Sequence, residues 1–315
     1  MDASDPLRWA RPRLILVATD LHDLSRLMPY AIEQAKESAA RLILLHVLPS
    51  SASISADAAG LPYYDTSSAL EFADRELLPW CEEARCDGVA CDALVREGAP
   101  AQQISAAARQ FQADRVLLGT RSRSKLSKLL LGSVAEQVLR SVNLPVVTVG
   151  PEAHLPVGGG GEQVVLHATT LRETSRPSAA LACRIAAGRR QGLILLHVLP
   201  PFDEMQRKGI PAELDSLALR ELLSLAAETH EEGCPAVEPQ VVHGNPSIEI
   251  LAMSAERHAS LIVLGATHRS AFENLARDRT VYRVLAHARC PVLTLREPLG
   301  LQGERQAEAA AVSAR

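Results

Sequence analysis

The residues of greatest chemical interest follow the fourth predicted strand of the amino-terminal half. There, Gly119-Thr-Arg-Ser122 is followed by nine residues and then by Gly132-Ser133-Val134, which opens a helix. Ligands of open α/β sheets bind beyond the carboxyl ends of the strands, where the unpaired N–H groups of a helix N-terminus attract anions. Because a glycine at position 132 would let a phosphate approach the backbone, this stretch predicts a phosphate-binding loop.

Basic side chains crowd the same loop, at Arg121, Arg123, Lys125 and Lys128. They would give this loop a local positive charge in a chain whose formal net charge is −4. A charge run of this kind is equally typical of an ordinary solvated surface loop. Phosphate steering and simple solvation are therefore both open interpretations of the cluster.

Two polar residues near this loop also have a purely structural interpretation. Ser133 and Glu136 have the S-x-x-E spacing of a capping box, which satisfies helix N–H groups without any ligand. Asp20 follows the first predicted strand and could cap the next helix or contact a ligand, and Asp23 or Ser25 could provide that cap instead. We favour the ligand role for Asp20 and leave both interpretations of Ser133 open.

Other kinds of catalytic site lack their residues in this sequence. It has no H-E-x-x-H motif, no cluster of Cys and His, and no paired carboxylates. We therefore predict no metal ligands and no catalytic residue, and an enzymatic activity is not required. His46 and His197 follow equivalent apolar runs of the two halves, which indicates packing with a satisfied hydrogen bond.

The six cysteines have no C-x-x-C spacing, and no secretory signal precedes them. Cys81, Cys86 and Cys91 are five residues apart, which should scatter them around a helix or across its end. We expect ordinary free thiols rather than a redox switch, and a cytoplasmic location.

Length and charge narrow the class of protein. A chain of 315 residues suits about two domains of roughly 150 residues, each with its own core. Its 33 basic and 37 acidic residues are mixed, which argues against nucleic acid or anionic membranes as partners and favours small solutes or proteins. The apolar runs fall well short of the ~18 residues of a membrane helix.

The elements that must position the loop occur twice. Strand-like runs and turn signals recur in the same order in both halves, and from Gly98 onward the offset between them is a constant 146 residues. The matching landmarks are Leu14 to Asp20 with Val164 to Thr170, Leu42 to Pro49 with Leu193 to Pro200, Gly98-x-Pro100 with Gly244-x-Pro246, Val116 to Gly119 with Ile262 to Gly265, and Leu144 to Val149 with Cys290 to Leu295.

Short apolar strands alternate here with helical stretches, such as 27–40, 101–112 and 133–142. This order predicts two α/β domains, each a doubly wound, Rossmann-like parallel sheet of five strands. We place the first domain at 1–152, a glycine-rich linker at 153–162, the second domain at 163–297 and a flexible tail at 298–315. The last strand of each sheet would be an edge, which pairing between the two domains or in a homodimer could protect.

Taken together, these motifs resemble the universal stress protein family, the tandem form in particular. Its ATP-binding members have Gly, two residues, Gly, nine residues, Gly and then Ser or Thr. The amino-terminal half fits this pattern except that Ser122 replaces the second glycine. The resemblance also covers Asp20, Gly98-x-Pro100 and the closing Leu-Pro-Val-Val, and it implies an adenine nucleotide alpha hydrolase-like fold.

The resemblance also implies a role for each matching residue. Ala18, Asp20 and Val47 would edge an adenine, and Gly119 and Ser122 would lie near a ribose. Gly132, Ser133 and Val134 would hold the phosphates. From the basic cluster, we include Arg123 in the predicted nucleotide site. The second half departs further, with Thr170 in place of the aspartate and Asp278-Arg279 in place of Gly-Ser, so that repulsion of phosphate predicts a degenerate site.

Three hypotheses follow for the function. The leading one is a stress-response protein that binds ATP, with or without Mg²⁺, or a related adenine nucleotide at the first domain and acts as a regulatory or chaperone-like module on a protein partner. Ser122 and the loss of the motif in the second half favour an interaction scaffold without nucleotide. A slow ATP hydrolase is the third hypothesis, although no base or Mg²⁺ ligand is evident beyond Asp20.

Overall fold

The computed structural model describes residues 6–48, 66–120, 131–154, 163–172, 175–203, 213–231, 236–267 and 279–297. The chain divides into two compact units, Met1–Leu155 and Pro156–Arg315, which we name unit 1 and unit 2. The predicted glycine-rich segment 156–162 and the predicted tail lie outside the described residues. None of the helices in the described ranges is long and apolar enough to cross a membrane.

Unit 1 alternates strands and helices from its second element onward. Its elements are α1 (Pro6–Ala10), β1 (Leu14–Thr19), α2 (Leu24–Ser38), β2 (Arg41–Leu48), α3 (Thr66–Cys86), β3 (Cys91–Glu97), α4 (Pro100–Gln110), β4 (Arg115–Gly119), α5 (Ser133–Ser141) and β5 (Val146–Val149). The strands are parallel and lie in the order β3-β2-β1-β4-β5. This confirms the predicted five-stranded, doubly wound sheet.

Unit 2 repeats this order of elements. They are β6 (Val164–Ala168), α6 (Arg176–Arg189), β7 (Gly192–Leu199), α7 (Leu214–Glu231), β8 (Val237–His243), α8 (Pro246–Glu256), β9 (Ala259–Thr267), α9 (Arg279–His287) and β10 (Val292–Glu297). The strands are again parallel, in the order β8-β7-β6-β9-β10.

The strands are continuous apolar runs because helices cover both faces of each sheet. All six residues of β1 are buried, and Ile15, Leu16 and Val17 at its centre have no exposed surface. In unit 2 the position of Val17 is occupied by His167, which is also fully buried. The central strand of unit 2 therefore has an imidazole ring where that of unit 1 has the isopropyl group of a valine.

The duplication extends to unusual backbone conformations. Residues with positive φ recur at matching turns, in the pairs Leu21 (72°) and Leu171 (56°), Ala39 (54°) and Arg190 (56°), Gly98 (131°) and Gly244 (157°), and Gln112 (52°) and His258 (49°). The two glycines donate equivalent hydrogen bonds, from Gly98 N to Leu48 O and from Gly244 N to Leu199 O, both at 2.9 Å. The same turn conformations and hydrogen bonds are therefore found at matching positions of both units.

Candidate functional site

A cavity of about 170 Å³ lies at the carboxyl edge of the unit 1 sheet. At this edge β1 pairs with β2 on one side and with β4 on the other, and the connections leave in opposite directions, which opens a crevice. The register places Ala18 beside both Leu45 and Leu118. These three apolar residues therefore form one continuous floor.

The described lining of this cavity contains most of the predicted site. It consists of Ala18, Thr19, Asp20, Asp23, Leu45, His46, Val47, Pro100, Ile104, Leu118, Gly119, Thr120, Gly132, Ser133, Val134 and Ala135. Seven residues of the sequence-based site, from Ala18 to Val134, are thus brought together from four segments of the chain. The remaining two, Ser122 and Arg123, lie outside the described residues, as does the basic cluster.

A hydrogen-bonded turn leads from β1 into α2. Thr19 Oγ1 donates to Asp23 Oδ1 at 2.6 Å and accepts from Leu21 N at 2.9 Å. Asp20 Oδ1 accepts from His22 N at 3.0 Å, so its carboxylate stabilises the turn and does not cap the helix. The helix-cap position is occupied by Asp23, whose side chain makes no capping bond to the helix.

Asp23 is a buried carboxyl group in the cavity wall. A Cβ atom added at Gly119 would clash with Asp23 Oδ2, so any side chain at this strand end would require the Asp23 carboxyl group to move. Burial raises the pKa of Asp23 to about 6, against the hydrogen bond from Thr19. Among the described residues, its charge has one distant cationic partner, Arg26 Nη2 at 4.0 Å. Sequence reasoning considered Asp23 only as a helix cap, and the i, i+4 spacing from Thr19 was the signal that could have revealed this buried pair.

The second strand contributes His46 and Val47 to the cavity. His46 Nδ1 lies 2.9 Å from the Thr19 carbonyl oxygen, which confirms the predicted packing role with a satisfied hydrogen bond. Burial lowers the pKa of His46, which favours a neutral ring that donates from Nδ1. This bond fixes the end of β2 against the end of β1, and Val47 follows it into the cavity wall.

The start of α5 differs in detail from the predicted arrangement. Gly132 is the helix cap and its N–H donates to Thr120 O at 2.7 Å, so the Gly132 amide itself is not available to a phosphate. Ser133 is the first helical residue and makes no capping bond, and Glu136 pairs with Arg140 at 2.9 Å instead. The capping-box interpretation is therefore wrong, because the helix begins at Ser133, one residue earlier than a serine cap at this position requires.

The anion-binding capacity of α5 consequently lies in the next three amides. The first helical hydrogen bond runs from Glu136 N to Gly132 O, which leaves the N–H groups of Ser133, Val134 and Ala135 without a helical acceptor. Within the part of the chain that the structure describes, these three groups have no other partner. They line the cavity together with the positive end of the helix dipole.

Thr120, which the sequence reasoning missed, adds a hydrogen-bonding group to this cavity. Its side chain is 1% exposed, and Oγ1 has no hydrogen-bond partner among the described residues. A buried hydroxyl without a partner is costly and therefore rare in native proteins. The sequence feature that could have revealed Thr120 is a polar residue directly after an apolar strand, within the predicted phosphate-binding loop.

The helix α4 closes the other side of the cavity. Gly98 turns the chain at the end of β3, and Pro100 begins the helix, where its missing N–H is no loss. Pro100 and the buried Ile104 line the cavity. The Gly-x-Pro landmark was noted in the sequence, but its role in placing an apolar wall was not.

Unit 2 has the same turn after its first strand. His197 Nδ1 lies 2.9 Å from Thr169 O, and Leu171 N donates to Thr169 Oγ1 at 3.1 Å. Thr170, at the position of Asp20, contacts the helix-cap residue Ser175, and their hydroxyl oxygens lie 3.3 Å apart. No carboxylate takes part in this contact.

The fourth strand of unit 2 ends differently. β9 continues past Gly265 through Ala266 and Thr267, which pair with Arg296 and Glu297 of β10. In unit 1 the corresponding ladder stops at Gly119 and Val149. Asp278, on whose repulsion of phosphate the predicted loss of the unit 2 site rests, lies outside the described residues, so that loss stays a prediction.

Comparison with known proteins identifies the family. The universal stress protein family matches residues 12–150 and again residues 163–296. The chain is a tandem member of the universal stress protein family. A universal stress protein of Methanocaldococcus jannaschii is 31% identical over 137 residues, which are 43% of this chain and 80% of that protein. One from Thermus aquaticus is 30% identical over 144 residues, which are 44% of this chain and 98% of that protein.

A solved structure supports the fold of the whole tandem. The crystal structure of a universal stress protein from Archaeoglobus fulgidus aligns with a TM-score of 0.71 and 20% identity, over 92% of this chain and 97% of that one. At this identity the likeness concerns the fold alone. The family membership assigns the chain to the stress-response proteins, as the sequence motifs indicated.

Proposed function

We propose that unit 1 binds an adenine nucleotide, ATP or a related compound, in the carboxyl-edge cavity, and that occupancy regulates the protein. The observation that supports this proposal is that one cavity is lined both by an apolar surface and by backbone amides that can bind an anion. Ala18, Leu45 and Leu118 form an apolar floor suited to a heterocycle, and the amides of Ser133 and Val134 offer an anion site at its rim.

Thr120 strengthens the proposal because its buried hydroxyl has no partner among the described residues. A ribose hydroxyl or a phosphate oxygen would supply the missing hydrogen bond. Binding would then satisfy a group that the protein alone leaves unpaired, and it would stabilise unit 1 by mass action. A partner that prefers the occupied state would in turn be bound more tightly, which is the basis of a regulatory or chaperone-like role.

The first experiment asks whether the purified full-length protein contains nucleotide. An acid extract is separated by chromatography, and calorimetric titrations follow with ATP, AMP, adenosine and pyrophosphate. We expect ATP and AMP to bind more tightly than adenosine or pyrophosphate alone, because only they use the floor and the amides together. Flat titrations with all four compounds would contradict the proposal and favour the interaction scaffold.

A matched pair of variants tests the site itself. Thr120→Val removes the unpaired hydroxyl with little change of shape, and we expect it to raise the Kd for ATP roughly three- to tenfold without loss of stability. Thr294→Val in unit 2 removes a hydroxyl that is likewise buried and unpaired among the described residues, and it should leave the Kd unchanged. Phosphate release measured on the same samples would reveal a slow hydrolase. Equal effects of the two variants on the Kd would place the nucleotide elsewhere.

A further inference from the structure

Two buried cysteines of unit 1 are in direct contact. Cys81 lies on α3 and Cys91 begins β3, and their sulfur atoms are 3.3 Å apart, with the Cys91 thiol donating to the Cys81 sulfur. The expectation that the five-residue spacing scatters these cysteines is therefore wrong. Both are free in the structure.

The turn between α3 and β3 accounts for this contact. Val89 N donates to Ala84 O and Gly88 N donates to Arg85 O, both at 2.9 Å, with Gly88 at a φ of 81°. This glycine-stabilised end of the helix folds the chain back, so that the first residue of β3 lies beneath the last turns of α3. A disulfide needs an S–S distance of about 2.05 Å, so the sulfurs have little more than 1 Å to travel.

The two thiols are not chemically equivalent. The hydrogen bond from Cys91 lowers the pKa of Cys81, with a further contribution from the Arg85 guanidinium, and the same hydrogen bond raises the pKa of Cys91. Arg85 is held near them, since its Nη2 donates to the Cys91 carbonyl oxygen at 2.5 Å and lies 3.9 Å from Asp92. Cys81 is therefore the better nucleophile of the pair.

We propose that Cys81 and Cys91 are an oxidisable pair that forms a reversible intramolecular disulfide with a hydroperoxide as the oxidant. The Cys81 thiolate attacks the terminal peroxide oxygen, the O–O bond breaks, and a sulfenic acid forms with release of water or an alcohol. The Cys91 sulfur then attacks the Cys81 sulfur, the S–O bond breaks, and a second molecule of water leaves. Two thiols are oxidised, one peroxide is reduced, and a thiol reductant reverses the process by exchange.

Burial determines which oxidants can react. Cys81 is 0% and Cys91 2% exposed, so bulky disulfide reagents are excluded, whereas a small hydroperoxide needs only a slight local opening of α3. Cys86, five residues from each, is exposed and lacks this proximity. It provides an internal control for reagents that simply oxidise accessible thiols.

Unit 2 lacks this pair. Cys91 is aligned with Leu42 of β2, and the corresponding alignment with Leu193 of β7 is made by Val237. The proposed disulfide would therefore tie α3 to β3 in unit 1 alone. Cys91 begins its strand, whereas the nucleotide cavity lies at the carboxyl edge, so we expect oxidation to leave nucleotide affinity unchanged.

The test uses the full-length protein and hydrogen peroxide. After exposure and removal of the oxidant, free thiols are alkylated in denaturant and the intact mass and peptides are analysed. Of the six cysteines, four should be alkylated, since six minus the two in the disulfide leaves four, and a Cys81–Cys91 linked peptide should appear. Dithiothreitol should restore six alkylated sites.

Two variants separate the pair from general thiol oxidation. Cys86→Ser should form the same linked peptide, whereas Cys91→Val, which copies unit 2, should form none. The proposal is overturned if wild-type protein retains six alkylated thiols at a peroxide dose that oxidises free cysteine, or if the product links Cys86 or two chains. Because the main result is read on wild-type protein, it does not depend on how well the variants fold.

Discussion

The two units share a scaffold and differ at the end of the fourth strand. In unit 1 the ladder stops at Gly119, and the next residue, Thr120, binds the start of α5 through its carbonyl group and keeps a buried hydroxyl unpaired among the described residues. In unit 2 the strand runs two residues further, and Ala266 and Thr267 extend the sheet instead. The segment after the fourth strand thus places an unpaired side-chain hydroxyl in the cavity of unit 1, whereas in unit 2 it continues the strand pairing.

This difference shows that the scaffold and the site are set by separate interactions. The histidine bonds His46 to Thr19 and His197 to Thr169 both measure 2.9 Å, and the positive-φ turns recur. These contacts stabilise the first crossover in both units and require no ligand. The site in unit 1 depends instead on a few polar groups, Asp23 and Thr120 above all, that the scaffold tolerates at a cost in stability.

The two units should differ most clearly in stability at acidic pH, because each unit buries a different titratable group. His167 in β6 is fully buried, with Nδ1 at 3.1 Å from Val263 O and no partner for Nε2 among the described residues, and burial lowers its pKa to about 4. The neutral ring is favoured by the fold, so the unfolded state binds more protons between pH 6.5 and 4. Unit 2 therefore has its full stability above pH 6.5 and loses it as the pH falls.

Changing His167 to the valine that unit 1 has at this position should remove that loss. We expect His167→Val to be more stable than wild type by about 3 kcal/mol at pH 4 and nearly equal to it at pH 7.5. Hydrogen exchange of the β6 peptide measures this effect, with the β1 peptide, which contains Val17, as the control in the same sample. Equal loss of β6 protection in both proteins on acidification would contradict the assignment.

Asp23 gives unit 1 the opposite pH dependence. Its folded pKa of about 6 lies above the ordinary value of 3.8, so the fold favours the protonated form, and the stability present below pH 3.8 is lost as the pH rises through 6. The helix cap of unit 2 has Ser175 at this place and is free of that charge. Unit 1 therefore loses stability as the pH rises and unit 2 loses stability as the pH falls, over nearly the same pH range.

Asp23→Asn should remove the loss of stability that the buried charge causes at high pH, while the amide oxygen still accepts the hydrogen bond from Thr19. We expect unit 1 to gain about 2–3 kcal/mol at pH 8 and much less at pH 4, where the wild-type carboxyl group is already neutral. The protein has two tryptophans, Trp9 and Trp80, both in unit 1, so urea unfolding followed by tryptophan fluorescence reports on this unit. A gain of the same size at both pH values would mean that charge is not the cause.

The sequence predicted the scaffold well because strand pattern and repeat are local or periodic signals. The apolar runs at 14–20 and 42–49 became β1 and β2, and their parallel register brought Ala18, Asp20 and Val47 to one edge. What could not be predicted depends on contacts between distant segments. The Gly132 amide is used by Thr120, Asp23 fills the space beside Gly119, and Cys81 meets Cys91 through a turn that the even spacing concealed.

Helix caps provide the finest difference between the units. Asn245 caps α8, with Oδ1 accepting from Ser247 N at 3.1 Å and from Ser247 Oγ at 2.7 Å, whereas the matching cap of α4 is Ala99, which offers no side-chain acceptor. Asn245→Ala should therefore destabilise unit 2 by about 1 kcal/mol and make its α8 resemble α4. Hydrogen exchange of the α8 peptide measures this change.

Ser133→Ala is the matched variant in unit 1, and it should leave the stability of α5 nearly unchanged, because Gly132 is the cap and Ser133 makes no capping bond. If Ser133→Ala destabilised α5 as much as Asn245→Ala destabilises α8, the serine would act as a cap after all. The helix would then begin one residue later, at Val134, and the Glu136 side chain of the capping box would accept from the Ser133 amide, which would no longer be available to a phosphate. A near-zero effect on stability, together with retained ATP affinity, leaves that amide available and assigns the anion contact to the backbone rather than to the serine hydroxyl.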